Sequence, residues 1–214
     1  YLDIGAKSRE EAEQLVTPGE IGVMIGEPVQ LSGDLLKAKA IDDRLGCAVL
    51  AELMTGETPA VDTWFVFTTQ EEVGTRGVGP AVWRIQPDAA IVVEGTTAAD
   101  LPGVPEHKTI CHVGKGAVLP FMDRGTVYDR KLREKALVVA AKHGIPTQTK
   151  QMIAGGTDAS VIQRSAGAVP VIGIAAALRN IHSPASIGSI SDFNAVYWLT
   201  KLMMTEIFKE NEEA

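Results

Sequence analysis

The stretch FVFTTQEEVGTRG, residues 65–77, ends an apolar run on two adjacent carboxylates, Glu71 and Glu72, and follows them with glycines. Like charges side by side cost free energy unless something neutralises or uses them. Matching chemistry recurs along the chain. Asp42 and Asp43 precede a helix-like stretch, Glu94 follows Ile91-Val92-Val93, and His182 stands before Ser183-Pro184. Carboxylate and imidazole together suit a divalent metal ion. A dication keeps a ligand carboxylate ionised and lets a free neighbour act as a base on water. The set reads as a hydrolytic metal site, with Glu72 a ligand and Glu71 the base.

Each residue alone has an ordinary reading. Asp42 or Asp43 could cap the helix that starts near Arg44. Glu71 and Glu72 could be a solvated strand end, Glu94 a turn residue, and His182 a structural loop histidine. His107, His112 and His143 lack ligand spacing, and Gly114-Lys115-Gly116 lacks the spacing of a phosphate loop. The elements that carry the candidates favour a shared site. From Ala40 onward the pattern alternates strands and helices. It predicts helices over residues 44–54, 131–142, 160–165 and 192–209, and strands over 63–69, 89–93 and 169–175. That alternation argues an α/β fold, a mostly parallel sheet flanked by helices. In such sheets ligands bind beyond the carboxyl ends of the strands, where all the candidates fall. Residues 1–38 have another texture, short apolar runs broken by Gly and Pro, as in small antiparallel strands. The division expected is a β-rich segment over 1–38 and a catalytic domain over 39–214.

Composition excludes some partners. The 214 residues carry a net charge of −7 with no Lys/Arg block, which argues against nucleic acid. The longest apolar run, Ala166 to Leu178, is broken by Pro170 and too short for a bilayer. Cys47 and Cys111 read as free thiols, and the compartment expected is the cytoplasm.

IDDRLGCAVLAEL, TTQEEVGTRG, VVEGTTAADLPG, AGGTDAS and ALRNIHSP, in that order over nearly the whole chain, resemble the TET-type metalloaminopeptidases. That family includes glutamyl aminopeptidases and proteins labelled endoglucanases or cellulases. The resemblance implies two divalent metal ions (zinc, cobalt or manganese). It makes Asp42 the carboxylate shared by both, Glu72 and His182 ligands of one, and Glu94 a ligand of the other. Glu71 becomes the general base, Asp43 the helix cap, and Asp100 and Asp158 acids that support the ligands or face the substrate. It also implies peptide substrates cut at their amino termini and a homo-oligomer, a tetrahedral dodecamer.

Three departures stand out. The family's His-x-Asp segment, which completes the second metal site, has no counterpart, since the first histidine is His107. Glu94 stands where Asp is common, and Asn180 where an aromatic is common. The expectation is that the polypeptide continues upstream of Tyr1, with 1–38 the tail of an inserted oligomerisation domain. Two alternatives remain open at this stage. A polysaccharide hydrolase would use paired carboxylates without metal ligands, usually with aromatic platforms, whereas only 5% of residues here are aromatic. A non-catalytic assembly fragment would retain only part of the site.

Overall fold

The computed structural model describes residues 2–165 and 167–209. In chain order the elements are α1 (Arg9–Leu15), β1 (Val29–Gln30), β2 (Leu35–Ala38), α2 (Ile41–Thr55), α3 (Val78–Ile85), β3 (Ala90–Thr97), β4 (Ala117–Leu119), α4 (Arg130–His143), β5 (Thr147–Thr149), α5 (Ala159–Arg164), β6 (Val171–Leu178), β7 (Ser186–Ser189) and α6 (Ile190–Glu206). The main sheet has the order β3-β6-β4-β5. β3 and β6 run parallel from Ala90↔Val171 to Thr97↔Leu178, and β4 and β5 are also parallel. The β4–β6 contact is antiparallel, through Val118↔Ala175, so the sheet is mixed.

β6 explains why the sheet sits centrally. All eight residues of VIGIAAAL are buried, as expected for a strand covered on both faces. Successive side chains point to opposite faces. Ile172, Ile174, Ala176 and Leu178 join a cluster with Leu45 and Val49 of α2, Leu132 and Val139 of α4, and Val196, Leu199 and Met203 of α6. On the other face Val171 packs with Val78 and Val82 of α3 and Ile162 of α5. Ala175 and Ala177 pack with Ile110 and Cys111. The result is a helix–sheet–helix sandwich. Both cysteines are free. No described helix is long and apolar enough to cross a membrane.

A small antiparallel sheet, β1-β2-β7, stitches the N-terminal segment to the start of α6. β2 pairs with β7 from Leu35↔Ser189 to Ala38↔Ser186. Ser189 caps α6, its Oγ accepting from the Asp192 N–H, and the same hydroxyl donates to Asp34 at 2.7 Å.

The structure corrects two local expectations. Residues 63–69 form no strand. A strand exists only through a partner's N–H and C=O groups, and a cavity of about 900 Å³ is lined by both this segment and the first half of β3, residues 90–94. Glu94 is not at a strand end. β3 continues through Gly95 to Thr97, because the ladder with β6 outweighs the turn preference of glycine. The predicted helices fall within two or three residues of α2, α4, α5 and α6, while α3, β4 and β5 carried too little periodicity to be picked out. The predicted end of the catalytic division, residues 210–214, lies outside the described residues.

Candidate metal centre

Three loops and one strand converge on the site. The chain enters α2 through Ala40 in the left-handed region (φ 52°), and Asp42 and Asp43 keep non-helical backbones joined by a cis peptide. The Gly46 N–H donates to Asp43 Oδ1 at 2.8 Å, so Asp43 does cap the first regular turn of α2. Glu94 projects from β3, and Gly95 beside it has a specific reason to be glycine. A Cβ there would stand 2.6 Å from Leu178 Cδ1 and 3.1 Å from Asp42 Oδ1, so the missing side chain is what lets Asp42 lie against β3.

Glu71 and Glu72 occupy a turn closed by the Gly74 and Thr75 N–H groups, which donate to the Glu71 carbonyl at 3.0 and 2.8 Å. Gly77 ends that turn where a side chain would collide with the Thr69 backbone. The glycines after the paired glutamates thus permit a tight turn that brings Glu72 to His182 and Asp42. His182 follows β6 in a loop, with φ 59°.

These residues meet. His182 Nε2 lies 3.2 Å from Asp42 Oδ2 and 3.2 Å from Glu72 Oε2. Asp42, Glu72 and His182 each offer a ligand atom within 4.8 Å of the others, and so do Asp42, Asp43 and Glu94. Asp42 belongs to both groups. All four expected ligands therefore lie in the two groups, together with Asp43, which the sequence suggested only as a cap. The Asp-Asp doublet was the signal for it, since one carboxylate can cap a helix with one oxygen and face the site with the other.

The donor set fits hard or borderline divalent cations, which take oxygen and imidazole ligands. Its electrostatics call for positive charge. Burial, then Asp158, Glu72 and Asp42, push the Glu71 carboxyl up to about 7. Burial is also the first cause raising Glu94 and Asp43, with the neighbouring carboxylates adding to it. Asp42 is raised by burial and partly relieved by His182.

This crowding has a measurable result. A carboxyl raised in the folded state keeps its proton above its ordinary value, 4.5 for Glu71, while the unfolded chain has lost it. Over that window the folded state binds more protons, so stability falls as pH rises. Metal-free protein should lose about 1–2 kcal/mol between about pH 5 and about pH 7.5 from Glu71, a figure already reduced for its partial solvent screening. Urea midpoints in EDTA measure this, and a midpoint that rises over the interval would contradict it.

Other sequence candidates find different settings. Asp158 is 6% exposed; its Oδ2 accepts from the Thr68 hydroxyl at 2.6 Å, and its Oδ1 is buried without a hydrogen-bond partner among the described residues. Asp100 pairs with Arg179. The Gly114 and Gly116 N–H groups donate to buried Asp192 at 2.7 and 2.6 Å, so that loop's donors are already used by an acid. His107, His112 and His143 lie in neither ligand group.

Residues 1–199 match the family model described as M42 glutamyl aminopeptidase. An aminopeptidase-assigned protein of Acetivibrio thermocellus is 38% identical over 196 residues, 91% of this chain and 58% of that one. Among solved structures, an aminopeptidase of the archaeon Desulfurococcus kamchatkensis superposes with a TM-score of 0.86 at 30% identity, covering 99% of this chain and 62% of its own. A TET peptidase of Pyrococcus horikoshii, described as able to assemble into a tetrahedron or a large octahedral shell, gives a TM-score of 0.75 at 26% identity, with 95% and 60% covered. The chain thus spans about three fifths of the length of these relatives.

Proposed function

Because the chain belongs to the M42 glutamyl aminopeptidase family, we propose that it is the metal-dependent catalytic part of an aminopeptidase, hydrolysing N-terminal residues of peptides. The observation that carries this reading is Asp42, whose carboxylate belongs to both clusters of candidate ligand atoms, with Glu72 and His182 and with Asp43 and Glu94. In this reading Asp42, Glu72, His182 and Glu94 hold two divalent ions, with Asp43 beside them. The ions supply polarisation of the scissile carbonyl and acidification of the attacking water.

Glu71 acts as the general base. Burial and its acidic neighbours raise its carboxyl in the metal-free site, and cations bound by those neighbours would offset that rise and keep Glu71 ionised, ready to accept a proton. It takes the proton of the attacking water and delivers it to the departing amine. A free, uncharged terminal amine could join the donor set of this site, which an acetylated amide nitrogen could not, and that would select amino termini.

The test is a panel of short peptides, each offered free and N-acetylated, with cobalt or zinc and then with EDTA. Free peptides should lose residues from the amino terminus only when metal is present. Equal cleavage of acetylated peptides would reject exopeptidase action, and cleavage of free peptides surviving EDTA would reject the metal-dependent mechanism.

We also propose a homo-oligomer, the tetrahedral dodecamer of the sequence expectation. The run Ile21 to Ile25 supports self-association: Ile21 is 88% and Ile25 89% exposed, with Val23 and Met24 exposed between them. Contiguous exposed apolar residues mark association surfaces. A monomer mass in analytical ultracentrifugation would reject it for this chain.

A further inference from the structure

The loop that carries His182 is held at its neck, away from the metal ligands. β3 and β6 end their ladder at Thr97↔Leu178, and Arg179, the residue that follows β6, reaches back across to Asp100. The pair is bidentate: Arg179 Nε donates to Asp100 Oδ1 at 2.7 Å, and Nη2 donates to Oδ2 at 2.8 Å. Asp100 Oδ2 also accepts from the Val113 N–H at 3.0 Å. The Asp100 carboxylate is 6% exposed and the Arg179 side chain 27%, so water competes little for these bonds.

The backbone of Arg179 closes the loop. Its N–H donates to the Ile187 carbonyl at 2.9 Å, and the Ile187 N–H donates back at 3.0 Å. The Ser186 hydroxyl donates to the Asn180 carbonyl at 3.0 Å. Between these rungs Asn180 and His182 both have positive φ, 51° and 59°, a region non-glycine residues occupy only when their surroundings hold them there. The His182 side chain is 63% exposed, so burial does little to fix it.

We propose that the Asp100–Arg179 pair is a positioning device for His182. It fixes the neck of the His182 loop to the end of β3, the strand that carries Glu94, and so holds the imidazole against Asp42 and Glu72. The pair makes no hydrogen bond to Asp42, Glu72 or His182 among the described residues, and acts through backbone alone. The proposal rests on the metal-site reading above, for which outer partners of a ligand commonly control affinity.

The experiment is a double-mutant cycle read by cobalt(II) titration and by amide hydrogen exchange. Arg179→Gln should weaken the His182-dependent cobalt site by about 10–100-fold and speed exchange of the Ile187 amide. Arg179→Lys, which keeps the charge without the fork, should recover only part of the loss. In a His182→Ala background, Arg179→Gln should cost nothing further, because the group it positions is gone. If leaving Asp100 unpaired prevents folding, the Asp100→Asn/Arg179→Gln variant removes both charges and takes the place of the single change.

An equal loss of cobalt affinity with and without His182, or an unchanged affinity together with unchanged Ile187 exchange, would overturn the proposal. A wild-type chain that binds no cobalt would instead overturn the metal reading. The exchange of Ile187 and of residues 180–186 would still decide whether the pair holds the loop.

Discussion

Glu71→Gln should abolish turnover and leave metal content unchanged. Glutamine keeps the shape of the side chain and removes its capacity to accept a proton. Removing a general base costs about 10²–10⁴ in rate, and with no other carboxylate assigned to the attacking water the upper end of that range is expected. Instability would not explain the loss. Glu71 is crowded by Asp158, Glu72 and Asp42, and neutralising it relieves repulsion. Two readouts decide the matter together, peptide hydrolysis and metal per chain by elemental analysis. Turnover within about threefold of wild type would remove Glu71 from the mechanism. Loss of both turnover and metal would make it a ligand.

Asp42→Ala should have the largest effect on metal binding, because Asp42 is the one residue common to both ligand groups. His182→Ala and Glu94→Ala should each weaken one ion. Asp42→Ala should weaken both, by well over the ~100-fold that loss of an outer partner brings. Cobalt absorption titrations of the three variants separate these outcomes. If Asp42→Ala removes only one ion, its carboxylate is not shared and the dinuclear arrangement fails. The Asp42 side chain is 11% exposed and lies against Gly95, so removing it deletes few core contacts and the fold should survive.

Much of the site was legible in the sequence, because its chemistry depends on residue types that are costly anywhere else. Paired acids next to glycines and an Asp-Asp doublet before a helix announce themselves through the expense of crowding like charges. The alternation of strand and helix patterns from Ala40 onward was equally readable, since burial on two faces demands long apolar runs such as VIGIAAAL. The segment at residues 63–69 shows the limit. Its pattern is that of a strand, but pattern records side chains, whereas a strand is made by a neighbouring backbone that lies outside the segment.

The sequence by itself determined which groups could do chemistry and the order of the elements carrying them. Both follow from local properties: charge, side-chain type and hydrophobic period. Only the tertiary structure decided that Asp42 belongs to two ligand groups, that Asp43 joins one of them while capping α2, and that Arg179 anchors the His182 loop through Asp100. These facts depend on the approach of β3, β6 and three loops whose site residues run from Asp42 to His182 along the chain. That approach is set by the packing of the whole sheet between its helices, which no short stretch of sequence encodes.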